Sequence, residues 1–146
     1  MKLRKLCALA LIVFCLVQSV SFAAQAVSVP SMAYQVYREV NMERAKRGLS
    51  QLRVDTTLNA AAALRAQEIV RKFSHTRPDG SKWSTVSRRA YAENIARGQR
   101  TADKVMAAWM TSEGHRRNIL RAGYGSIGVS CVRVGNIYYW VQLFGK

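Results

Sequence analysis

Ser126-Ile127-Gly128-Val129-Ser130-Cys131-Val132-Arg133-Val134-Gly135-Asn136-Ile137-Tyr138-Tyr139-Trp140-Val141-Gln142-Leu143-Phe144 lies at the carboxyl end of the chain. It reads as two strands, 126–133 and 137–144, with Gly135-Asn136 as a hairpin turn. The second strand is rich in aromatic and β-branched residues, which fit a pleated, packed surface. By alternation Tyr139 and Val141 face one way, and Tyr138, Trp140 and Gln142 the other. Apolar residues on both sides predict a sheet covered on both faces.

The preceding chain has helical periodicity. A first helix is expected over 31–47, capped by Ser31, with Val36, Tyr37 and Val40 on one face and Gly48 as its stop. Residues 49–54 form an extended connection. Asp55-Thr56-Thr57 caps a second helix over 58–71, whose seam is Leu58, Ala61, Ala62, Arg65 or Ala66, Ile69 and Phe73. Pro78-Asp79-Gly80 marks a loop. Residues 90–96 are a strand or a buried segment. Thr101 caps a third helix to 111, with Val105, Met106, Trp109 and Met110 inward, and a short helical turn covers 114–120. Helices before strands predict an α+β fold. There are no repeats and no linker, so one domain is expected.

The first residues stand apart. Lys2, Arg4 and Lys5 precede an almost wholly apolar run, 6–20, and small residues follow. Ala24-Gln25-Ala26 matches a signal-peptidase site, with Ser21-Phe22-Ala23 as a second option. The run is shorter than the roughly 20 apolar residues that span a bilayer. Phe14 before Cys15 disfavours a lipoprotein. The expected organisation is a signal peptide over 1–26 and one domain over 27–146, secreted or held at the cell envelope and not integral to the membrane. Cleavage would remove Cys7 and Cys15 and leave Cys131 without a disulfide partner, in an apolar run that suits a buried small hydrophobe.

Charge is lopsided: 23 Lys+Arg oppose 8 Asp+Glu, a net +15. Without the three leader cations the balance is +12. A charge this basic is expected either to associate with anionic envelope polymers, lipid head groups or acidic host material, or to serve simply as a solubilising surface. No nucleic-acid motif is present, so nucleic acid is not an expected partner.

The chemistry concentrates in three polar segments. The chain has two histidines. His75 lies in Phe73-Ser74-His75-Thr76 and His115 in Ser112-Glu113-Gly114-His115-Arg116. Between them Glu93 interrupts the apolar Tyr91-Ala92-Glu93-Asn94-Ile95-Ala96. Two imidazoles and a carboxylate are the ingredients of a metal site with an open water position, or of an acid/base pair. Glu93 also has a structural reading, as a carboxylate paired with Arg65, Arg89 or Arg116. Gly114 suggests a sharp turn or a close approach of backbone. Neither H-E-x-x-H nor G-x-S-x-G occurs, so no hydrolase motif supports a protease or esterase.

In order, Asn41-x-x-Arg44-x-x-x-Gly48-Leu49-x-x-Leu52-x-x-Asp55-x-x-Leu58, Phe73-Ser74-His75, Ala92-Glu93-Asn94-Ile95-Ala96, Trp109-x-x-Ser112-x-Gly114-His115-Arg116-x-Asn118-Ile119-Leu120, Ile127-Gly128-Val129 and Tyr139-Trp140-Val141-Gln142 resemble the CAP superfamily. That superfamily includes cysteine-rich secretory proteins, antigen 5 and plant pathogenesis-related proteins of group 1, and the short bacterial secreted branch fits best. The resemblance covers 34–145. It implies an α–β–α sandwich around an antiparallel sheet. It also implies a cleft where His75, Glu93 and His115 hold a divalent metal such as zinc, or a small polar or lipid-like ligand. The family's second glutamate falls here on Ser112; Glu113 comes one residue late, and Asp79 is a further candidate. Within the family this implies a non-enzymatic binding module, with a metal-dependent peptidase or esterase using Glu93 as base as the alternative.

Overall fold

A computed structural model describes residues 29–146, so the signal peptide and its cleavage site lie outside the described residues. The elements are helix α1 (Val29–Ala45), strand β1 (Arg53–Val54), helix α2 (Thr56–Arg71), a 3₁₀ turn (Trp83–Val86), strand β2 (Ala92–Arg97), helices α3 (Ala102–Thr111) and α4 (Glu113–Ile119), and strands β3 (Ser126–Val134) and β4 (Ile137–Gly145). No described helix is long and apolar enough to cross a membrane.

The strands form one sheet in the order β1-β3-β4-β2. β3 and β4 form the expected hairpin, closed by Val134 opposite Ile137, and Gly135 adopts φ +57° in the turn. β2 adds antiparallel to β4 with Glu93 opposite Leu143. β1 pairs parallel to β3, so the sheet is mixed rather than antiparallel throughout. The reason is local. β1 is two residues long, too short for any periodicity, and the loop after α1 delivers it in the direction of β3. Asn41 sets its position: Nδ2 donates to Leu52 O at 3.0 Å, and Oδ1 accepts from Leu52 N at 2.8 Å.

Helices cover both faces, giving the three-layer α–β–α sandwich. On one side α1, α3 and α4 bring Val36, Val40, Val105, Trp109 and Ile119 onto Ile127, Trp140 and Phe144. On the other α2 brings Leu58, Ala62, Ala66 and Ile69 onto Ile95, Tyr139, Val141 and Leu143. The even–odd division of β4 follows from the period of a strand. Small residues on α2 let it lie close: a Cβ on Gly128 of β3 would collide with the backbone of Leu58 and Asn59.

Helix ends differ from expectation in instructive ways. α1 already includes Val29 and Pro30, ahead of Ser31, so Ser31 lies within the helix rather than capping it. It stops at Ala45, and Gly48 at φ +67° lets Leu49 N donate back to Arg44 O at 3.1 Å. Asp55 caps α2 as expected, accepting from Leu58 N at 3.0 Å. Thr101 makes no side-chain cap bond to α3. Phe73 lies beyond the end of α2 and is exposed, so it leaves the seam.

Candidate functional site

β2 is the edge strand beside β4, and every position from Ala92 to Ala96 is buried. α3 and α4 reach its carbonyls. Trp109 Nε1 donates to Ile95 O at 3.3 Å and Asn118 Nδ2 to Glu93 O at 3.4 Å. Edge-strand groups left open invite pairing with other chains, and here side chains occupy the carbonyls of Glu93 and Ile95. The same contacts bring the start of α4, with His115, alongside β2.

Glu93 is fully buried, and its partner is Arg65, also fully buried, from α2. Arg65 Nε donates to Glu93 Oε2 at 2.6 Å and Nη2 to Oε1 at 3.1 Å, a bidentate clasp. The same guanidinium donates through Nη1 to Glu68 Oε2 at 2.7 Å and through Nη2 to Ser74 O at 2.9 Å. Arg77 closes the far side, with Nη2 donating to Glu68 Oε1 at 2.6 Å. A line of alternating charge therefore runs Arg77–Glu68–Arg65–Glu93. Burial alone would lower the Arg65 pKa, yet its bonds to Glu93 and Glu68 outweigh that and raise it. Burial likewise opposes ionisation of Glu68, and the bonds from Arg77 and Arg65 hold its pKa below the usual value.

His75 ends this line. Its Nδ1 lies 2.8 Å from Glu93 Oε1, and the ring remains 53% exposed. A carboxylate ion-paired to Arg65 accepts this bond, so His75 donates through Nδ1. The bond from Arg65 to Ser74 O fixes the backbone just before His75.

His115 reaches the site from α4. Its carbonyl accepts from Asn94 Nδ2 at 3.1 Å. Asn94 also donates to Gln142 Oε1 at 3.0 Å and accepts from Asn118 Nδ2 at 2.9 Å, so an amide network ties α4, β2 and β4 together. Burial, then the nearby charge of His75, lowers the His115 pKa. The sign for stability follows. Between the lowered pKa and the ordinary value the unfolded chain binds more proton, so stability falls as pH drops below 6.5. Urea titrations across that window should show this loss in the wild type and a smaller one in His115→Gln. Equal slopes would contradict it.

The structure thus gathers His75, Glu93 and the α4 segment bearing His115, and leaves out the other candidates. Glu113 is 78% exposed and pairs with Arg117 at 2.7 Å. Asp79 is exposed and accepts from Ser81 N and Oγ within its own loop. Gly114 has no positive φ, and a Cβ there would meet nothing within 4 Å, so neither a turn nor close packing explains it. Arg89 pairs with Asp55 and Arg116 donates to Met110 O, which leaves Arg65 as the partner of Glu93. Cys131 is buried, which pushes its thiol up to about 12, far from a nucleophile. Among the described residues no three His, Cys, Asp or Glu side chains are grouped to hold a metal ion. Sequence reasoning missed Glu68, Arg77, Asn94, Asn118 and Gln142. Asn94, Asn118 and Gln142 stood in the quoted motifs without a role assigned to them, and for the ion-pair line the signal was Arg65 and Glu68, three apart on the buried face of α2.

A groove of about 830 Å³ runs between α1 and α3, lined by Tyr34, Met42, Met106 and Met110 together with Arg38 and Arg116. It includes neither imidazole.

The profile of the CAP, or cysteine-rich secretory protein, family matches residues 37–144. The chain belongs to the CAP family. This CAP domain is 40% identical over 125 residues to the protein YkwD of Bacillus subtilis, an alignment covering 80% of this chain and 48% of that protein. The chain therefore spans about half the length of that relative. In structure the CAP domain is similar to an outer surface protein of Borrelia burgdorferi, with a TM-score of 0.70 and 22% identity, over 82% of this chain and 96% of the other. It also resembles the manganese-bound Ac-ASP-7, with a TM-score of 0.54 and 13% identity, over 85% and 73%. Those two likenesses speak for the fold.

Proposed function

We propose that this chain is an exported CAP-domain binding protein rather than an enzyme. In this reading His75 and His115 face a divalent metal such as zinc, or a small polar ligand, at the edge of the sheet, and the basic surface meets anionic envelope or host material. The observation that carries the reading is the Arg65–Glu93–His75 line. It fits Glu93 as the group that orients His75 through Nδ1, leaving Nε2 as a ligand; such outer partners are typical of metal-binding histidines. Both Glu93 oxygens are engaged, so Glu93 does not fit a third ligand. When bound, the metal would supply Lewis acidity and fixed positive charge. A manganese-bound relative of the same fold is consistent with this chemistry. A lipid-like ligand better suits the groove between α1 and α3, where Tyr34, Met42, Met106 and Met110 supply apolar wall among charged side chains that include Arg38, Glu39 and Asp103.

The hydrolytic alternative is less well supported. A general base needs a free lone pair near the reacting proton, and Arg65 clasps the carboxylate of Glu93.

Calorimetric titration with zinc chloride tests the reading. Wild type should bind, and His75→Ala and His115→Ala should each weaken binding at least tenfold. Loss of an outer-shell partner typically costs 10–100-fold, so Glu93→Gln should weaken binding by about that much. Thermal melts separate loss of the site from loss of the fold. Identical heats for wild type and both histidine variants would remove the metal from this proposal.

A further inference from the structure

The β3–β4 hairpin carries an apolar tip. Val134 and Ile137 face each other across the turn, 52% and 45% exposed. The surface around them is cationic. Arg133 folds over the turn, donating through Nε to Gly135 O at 2.7 Å and through Nη2 to Asn136 Oδ1 at 3.1 Å. Its guanidinium lies 5.5 Å over the ring of Tyr138.

β2 ends at this same end of the sheet. Arg97 is in register with Tyr139, and Gly98 N donates to Tyr138 O at 2.8 Å. Arg97 lies 5.5 Å over the ring of Phe73, which is 44% exposed. Arg71 and Lys72 precede that ring and Arg100 follows Arg97; all three are exposed. Residues 69–78, 94–102 and 120–146 contain no Asp or Glu. Among the described residues, Arg97, Arg100 and Arg133 form no ion pair.

A two-stranded ribbon thus holds two aliphatic side chains outward, beside guanidinium groups that form no ion pair among the described residues and a half-exposed aromatic ring. Apolar tips with cationic flanks complement anionic head groups lying over hydrocarbon, and long basic side chains keep their charge at the phosphates while their stems lie deeper. A soluble polyanion would satisfy the arginines and leave Val134 and Ile137 without a partner.

We propose that this end of the sheet docks the protein on an anionic lipid bilayer. Val134 and Ile137 enter the head-group region, and Arg97, Arg100 and Arg133 engage lipid phosphates. The inference rests on the reading that the basic surface meets anionic envelope material, and it names the lipid and the contact face.

Co-sedimentation with vesicles tests it, using the chain from Val27 onward. That chain holds every described element, and the structural match to the Borrelia outer surface protein covers 96% of that protein's chain. The vesicles are phosphatidylcholine alone and phosphatidylcholine with about one third phosphatidylglycerol. Wild type should pellet with the anionic vesicles and not with the neutral ones. Val134→Ser with Ile137→Ser removes apolar groups already exposed in the folded protein. It should lower vesicle affinity about tenfold with an unchanged thermal melt, while retention on an immobilised sulfated polysaccharide stays the same. Equal vesicle binding by wild type and the tip variant would overturn the proposal. Retention on the polysaccharide without vesicle binding would overturn lipid docking and leave the basic-surface reading standing. Binding to neither would end both.

Discussion

Arg65→Met is expected to cost about 3–5 kcal/mol of folding stability, the range for removing one partner of a buried ion pair. Among the described residues Arg65 is the only Lys or Arg that pairs with Glu93, and both side chains are fully buried. The methionine stem fills much of the same space, so the loss is electrostatic rather than a cavity. Glu68 retains Arg77, whereas Glu93 keeps one bond to a half-exposed histidine. Adding Glu93→Gln should recover part of the loss, because a neutral amide is cheaper to bury than an unpaired carboxylate. Urea unfolding of the four members of this double-mutant cycle measures the coupling. A single-variant cost below about 1 kcal/mol, with no coupling, would mean that the pair resembles an exposed ion pair in worth. Loss of Arg65 should also loosen His75, since the same guanidinium holds Ser74 O.

Gly128→Ala should destabilise by about 3 kcal/mol or more, at the upper end of core overpacking. The added methyl group would collide with the backbone carbonyl of Leu58 and the amide of Asn59. Neither is a flexible side-chain end, so α2 must move away from β3. That shift would also strain the bond from Val129 N to Asn59 Oδ1, now 3.0 Å. The control is Gly123→Ala, where a Cβ meets nothing within 4 Å and which should change stability by less than about 0.5 kcal/mol. Thermal melts of the two variants side by side decide this; equal midpoints would show that the helix yields without cost.

Much of the fold was legible in the sequence because its signals are local and periodic. The β3–β4 hairpin announced itself through alternation and Gly135-Asn136, and α2 through Asp55 and its alanine-rich face. β1 was not legible. Two residues cannot display a period, and their direction depends on Asn41 meeting Leu52 across a loop. At the site, the ordered motifs singled out His75, Glu93 and His115 as candidates, but what each side chain meets depends on pairings between distant segments. That Arg65, rather than Arg89 or Arg116, clasps Glu93 is a consequence of α2 packing on β3 and β4 with Arg65 turned toward the neighbouring β2, which no spacing encodes. Gly114 misled for the opposite reason, since a glycine in a motif invites a steric explanation that the surroundings of α4 do not require.

Arg44 carries a consequence for the order in which the molecule assembles. Buried on α1, it donates to Ser50 O at 2.9 Å, Ile119 O at 2.8 Å, Arg121 O at 2.9 Å and Tyr124 O at 3.4 Å. Most of its acceptors therefore emerge long after α1 during synthesis. Until they arrive, seating α1 would bury a guanidinium with too few acceptors. Contacts this remote in sequence slow compaction. A chain ending before Ile119 would therefore leave the buried guanidinium of α1 with only Ser50 O among these acceptors.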